Sequence, residues 1–272
     1  ESPVLIFDES VSSLSELYTL ASTTIATEST LSYFLRGRDG MWSEPSNTDR
    51  DTPNVLKDTL LTNAKNIHTT IDAWVPPLGM QVVQIAGWGV DTIKDIRYSC
   101  PFSTCHSLST LDRSINSTTL DGDETVVVPS AAWMSTSTAN VERWWVDLQK
   151  YNETNFINRE HSSILEVNAL QDFIKSIISG GRTLDGTILA GIRPVATETD
   201  KRLRFTLHSP VDIHLYDSFG NHTGLLGTPS QSSGERRFEK NIPNSYYREF
   251  GETKYAGVSV GSTTTVTLQG LA

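Results

Sequence analysis

The chain has 272 residues, 37% hydrophobic and 20% charged, with a formal net charge of −10. That composition is ordinary for a soluble globular protein, one large domain or a medium one with an appendage. The acidic balance argues against nucleic acid or an anionic membrane surface as the main partner, and no run reaches the roughly 20 apolar residues of a spanning helix.

The opening ESPVLIFDES has no charged n-region, no apolar h-region and no initiating Met, so it reads as a trimmed or internal start. PVLIF is a short extended piece, and residues 11–35 carry apolar spacing that suits interrupted helices. A polar, Gly- and Pro-bearing connection follows. Residues 55–73 then predict an amphipathic helix, with Val55, Leu56, Leu60, Leu61, Ala64, Ile67 and Ile71 at three- and four-residue steps. MQVVQIAGWG is an uninterrupted apolar run that ends at glycines, the pattern of a strand covered on both faces, and it predicts a strand near 81–86. TVVVPSAAW and VERWWVDL read as further strand-like or buried segments, the second near 141–147 and parallel to the first. HSSILEVNALQDFIKSIISGG predicts a helix over 162–178 that stops at Gly180 and Gly181. Helix, strand, acidic loop, strand, histidine and helix form the rhythm of the late part of an open α/β sheet.

The texture changes near residue 195. RLRFTLHSP, VDIHLYDSFG, KYAGVSVG and TTTVTLQG are short alternating strands between turns, and they predict a small all-β unit of sandwich type. The expected division is therefore 1–195, a partial α/β domain with an N-terminal helical cap region, and 196–272, a small β domain. His208, His214 and His222 fall among these strands and read as surface positions.

Cys100 and Cys105 have no second pair, and His68 and His106 stand at no standard zinc spacing, so no metal is expected. A short disulfide loop between the two cysteines suits an exported protein. Sequons at Asn116, Asn152 and Asn221 point the same way, to surface loops of a secreted chain.

The chemistry concentrates in LDGDETVVVPSA, residues 120–131, and in the histidine that opens HSSILEVNALQDFI. The order GWGVDTIKDIRY, DGDETVVVPSA, strand, HSSILEVNALQDFI resembles the C-terminal part of lecithin:cholesterol acyltransferase-like lipases, over roughly residues 75–180. The β-rich tail is similar to domains appended to large bacterial lipase-like proteins. The resemblance implies an α/β-hydrolase-like sheet with cap helices, Asp123 as the acid and His161 as the base of a Ser-His-Asp triad, an ester or lipid-like substrate, and no cofactor. Glu124 departs from the family pattern, which has Gly there. Asp121 is the second candidate acid.

The serine is missing from its place. A nucleophile elbow is a Gly-x-Ser-x-Gly turn between strand and helix, upstream of the acid. The one match is GVSVG around Ser259, downstream of His161 and in strand-like surroundings. Early strands of such a sheet are missing too, so the chain reads as the C-terminal portion of a larger hydrolase whose N-terminal half lies elsewhere. Two other readings stay open. Asp121, Asp123 and Glu124, near Trp133, Trp144 and Trp145, could serve a glycoside hydrolase. A binding or assembly module could present Tyr216, Phe219, Tyr246 and Tyr247 on the β tail.

Overall fold

A computed structural model describes residues 5–7, 24–25, 58–99, 112–132, 140–182, 185–192, 194, 202–208, 211–226, 237–250, 253–261 and 263–270. The chain divides into two compact units, Glu1–Pro77 with Lys94–Thr118, and Leu78–Ile93 with Thr119–Ala272. Of the helices expected within 11–35 only Thr24–Ile25 is described, and it is a strand; both cysteines and Trp133 lie outside the described residues.

The first unit holds helix α1 (Asp58–Ile71) and a sheet of order β2-β1-β4-β5. Its strands are β1 (Leu5–Phe7), β2 (Thr24–Ile25), β4 (Thr92–Ser99) and β5 (Asp112–Thr119). Strand β1 runs parallel to β4 and antiparallel to β2. Buried Asp95 of β4 ties this sheet together, accepting the backbone N–H of Ser117 at 3.0 Å and its hydroxyl as well.

In the second unit β3 (Val82–Trp88) pairs in parallel with β6 (Val141–Asp147), and β7 (Leu189–Ala190) closes the sheet antiparallel to β6. Both faces of β3 are covered. Ala86 and Trp88 meet Val128 and Trp145 in one apolar cluster, while Val83 and Ile85 pack on a second built around Val146, Leu148, Leu170 and Phe173. The second cluster draws on helices α3 (Leu148–Asn155) and α4 (Asn168–Ile178).

The expected α/β-hydrolase-like sheet with cap helices is not what forms. The described strands fall into four sheets of three or four strands, with strand in excess of helix. The physical reason lies in β3. A strand covered on both faces reads as a continuous apolar run whether its sheet has three strands or eight. TVVVPSAAW, residues 125–133, was expected to be strand-like or buried; Val128 is buried, but Val128–Ala131 form a short helix, α2, with Pro129 in its first turn. Proline lacks an N–H to give to a ladder but fits a helix start. The helix expected over 162–178 is broken into a 3₁₀ segment, His161–Glu166, and α4, because Val167 between them is extended and wholly buried.

From β8 onward the unit is rich in β-strands, as a sandwich-like arrangement requires. One sheet has the order β11-β10-β9-β14 and the other β12-β13-β8. Their members are β8 (Arg202–Leu207), β9 (Val211–Asp217), β10 (His222–Leu225), β11 (Phe238–Lys240), β12 (Tyr246–Phe250), β13 (Thr253–Ser259) and β14 (Thr264–Gly270). Ile213 and Leu215 from the first sheet join Tyr247, Ala256 and Val258 from the second in one core. Tyr246 and Tyr247 are therefore buried rather than displayed, whereas Phe219 and Tyr216 are exposed. His214 is also buried, and His222 nearly so, because each lies on an inner strand of its sheet rather than at a surface turn.

Candidate functional site

The loop between β5 and α2 docks against the end of β3. Gly89 N–H donates to Leu120 O (2.8 Å) and Val90 N–H to Gly122 O (3.1 Å), and Val90 and Asp123 form a parallel bridge. Thr92, fully buried, holds the loop from beneath: its hydroxyl donates to Val90 O and accepts the N–H of Glu124, both at 2.8 Å. At Gly87 an added Cβ would stand 2.6 Å from Asp123 Cβ, so the glycine is what lets the acid lie so close to β3.

The carboxylate of Asp123 is buried and fully engaged. One oxygen, Oδ1, accepts from Val126 N–H at 2.8 Å and Thr125 N–H at 3.3 Å. The other, Oδ2, lies 2.9 Å from Nδ1 of His161. A main-chain bond doubles the contact, His161 N–H to Asp123 O at 2.7 Å. His161 opens its 3₁₀ segment behind Glu160, whose side chain and that of Ser163 form a reciprocal capping box. The Asp123 side chain is 7% exposed and that of His161 48%. Buried acid behind, open imidazole in front, is the polarity that a general base needs. Among the described residues no group bonds Nε2 of His161.

The two residues singled out from the sequence are thus brought together, and the second candidate acid is not part of the pair. Asp121 sits two residues earlier, where its carbonyl accepts the N–H of Val128. Glu124 has φ of 90°, backbone that disfavours a side chain. Its carboxylate lies 3.9 Å from Lys240 Nζ and 3.8 Å from Arg248. Ser162 donates to Glu160 and Ser163 is engaged in the cap, so neither hydroxyl is turned to the imidazole. Ser259 ends β13, paired with Arg202 across the sheet.

Trp144 and Trp145 serve packing. Trp145 is buried, and Trp144 meets Phe173 edge-on at 5.1 Å between ring centroids. Of the three carboxylates of the glycosidase reading, Asp123 is the one paired with His161. Asn152 is fully buried and bonded to Arg159 and Asn244, so that sequon does not mark a surface loop.

Several residues of the site's surround carried no sequence signal. Arg248 donates to Asp91 O at 2.6 Å and Arg202 to Gly89 O at 3.0 Å, both beside the glycine turn. Asn158 donates to Lys240 O and Ser245 O, joining the histidine loop to β11 and β12.

A separate cavity of about 500 Å³ lies among Lys150, Tyr151, Asn168, Asp172, Asp185 and Ile188, and neither Asp123 nor His161 lines it. Among the described residues no group of three or more His, Cys, Asp or Glu side chains is placed to hold a metal ion. No helix among them is long and apolar enough to cross a membrane. Comparison of the chain with family models, curated proteins and solved structures finds no match.

Proposed function

We propose that Asp123 and His161 are the acid and base of an acyl-transfer site, in an ester hydrolase or acyltransferase. The observation that carries this reading is the 2.9 Å contact between His161 Nδ1 and the buried Asp123 carboxylate, with the imidazole half open to solvent. In this arrangement Asp123 holds Nδ1 protonated. Nε2 is thereby an acceptor, able to take the proton of an attacking hydroxyl and return it to the leaving alcohol. Asp123 balances the imidazolium between those steps. The order of the glycine turn, DGDET loop and histidine segment supports an ester, lipid-like in character, as the substrate. The nucleophile is not assigned to any described residue.

The test is ester turnover by the longest natural polypeptide that carries these residues, as wild type, His161→Ala and Asp123→Asn. The expected loss is about 10²–10⁴-fold in each variant, the usual contribution of a positioned general base. In the 272-residue chain alone the same substitutions should change residual turnover little, since no elbow serine precedes Asp123. Equal turnover by all three forms of that natural polypeptide refutes the reading.

A further inference from the structure

The residue that follows the acid, Glu124, and the residue that precedes the base, Glu160, are both carboxylates, and both face one lysine. Lys240, at the end of β11, contacts Glu160 Oε2 and lies 3.9 Å from Glu124 Oε1. Its side chain is only 15% exposed, and those of the two acids 19% and 22%. The main chain of Lys240 grips the same loop, its carbonyl accepting Asn158 Nδ2 at 3.1 Å. Arg248 completes the group, 3.8 Å from Glu124. Two acids and two cations balance, in surroundings where screening by water is reduced.

We propose that Lys240 is a positioning residue for the acid–base pair: it clamps the Asp123 loop to the His161 loop through their neighbouring carboxylates. This rests on the acyl-transfer reading for its purpose, though not for its geometry. Without the ammonium, Arg248 beside Glu124 is the remaining cation of this group of four. The repulsion of Glu124 and Glu160 then acts on the two loops whose separation sets the Asp123–His161 hydrogen bond. A lysine that only stabilised the β tail would leave that bond unchanged in any protein that still folds.

The experiment is proton NMR of the imidazole Nδ1–H of His161, assigned by its loss in Asp123→Asn. In wild type it is expected as a slowly exchanging downfield resonance. Lys240→Met should raise its exchange with water about tenfold or more, the scale of losing one charge-assisted hydrogen bond. Lys240→Arg should restore it, as should Glu124→Gln with Glu160→Gln in the Lys240→Met background. If Lys240→Met does not fold, Lys240→Gln, which also removes the ammonium, should give a severalfold rise. Unchanged exchange in whichever of these two variants folds overturns the clamp. The two readings fail separately. Exchange that responds to Lys240, with ester turnover indifferent to His161, sinks acyl transfer and leaves the clamp. The reverse outcome sinks the clamp alone, and a wild type with no Asp123-dependent resonance overturns both.

Discussion

Gly87→Ala places one methyl group where the site has no room for it. The new Cβ would lie 2.6 Å from Asp123 Cβ, 3.0 Å from Leu148 Cδ1 and 3.1 Å from Ile164 Cδ1. The two Cδ1 atoms end flexible side chains and can yield a few tenths of an ångström. Asp123 Cβ cannot, because it is bound to a main chain held by Val90, Val126 and His161. Reaching an ordinary 3.4 Å from 2.6 Å needs a displacement of roughly 0.8 Å, the kind of overpacking that costs about 1–3 kcal/mol. Such a shift also spoils the 2.9 Å contact to His161, and a misplacement near 1 Å costs about 10²-fold in rate. Urea melts of the 272-residue chain give the stability, and the Nδ1–H resonance of His161 reports the pair. Gly186→Ala is the control, since nothing lies within 4 Å of its added Cβ, and it should stay within about 0.5 kcal/mol of wild type. A Gly87→Ala protein as stable as the Gly186→Ala control, with the His161 resonance intact, would refute the packing argument.

Two further predictions concern the β-rich sheets. Burial, and next the neighbouring His222, lower the pKa of His214 below the usual 6.5, against opposing contributions from Asp212 and Gln269. The unfolded chain therefore binds this proton more readily, so stability is full above about pH 6.5 and falls as pH drops through that value, by at most about 1.4 kcal/mol per pH unit. His214→Gln should flatten that acid limb in urea melts between pH 7.5 and 5.5, and an unaltered slope would contradict the assignment. Lys254 and Asp212 form a buried ion pair at 3.3 Å. Lys254→Met alone should cost about 3–5 kcal/mol by removing the buried counter-charge of Asp212, while Lys254→Met with Asp212→Leu should recover most of it. Equal destabilisation of single and double variants would exclude the pair as the cause.

Strands β3 and β6 were legible as apolar runs, and their parallel pairing follows from cover on both faces. The alternating segments after residue 200 were legible for the opposite reason, each having one face in the core of Ile213, Leu215 and Val258. Strands β4 and β5, TIKDIRYS and DRSINSTT, carry too few apolar residues to be read, because Asp95 and Ser117 satisfy each other inside the sheet. Tyr246 and Tyr247 misled because two adjacent tyrosines near a turn suggest display, yet both are core. The site divides in the same way. Asp123 and His161 were visible because each sits in a local motif that must shape its own turn. Lys240 and Arg248 act across 80 or more residues of chain, and no local pattern encodes such a partner. Glu124 shows how the two scales meet. As a local residue it is a poor choice, since φ of 90° suits glycine and a side chain there costs about 1–2 kcal/mol. As a counter-charge to Lys240 and Arg248 it has a function that glycine lacks. A glutamate at this position is therefore where the β-rich sheets enter the acid's own turn. It ties the geometry of Asp123 to residues that a motif read alone would place outside the site.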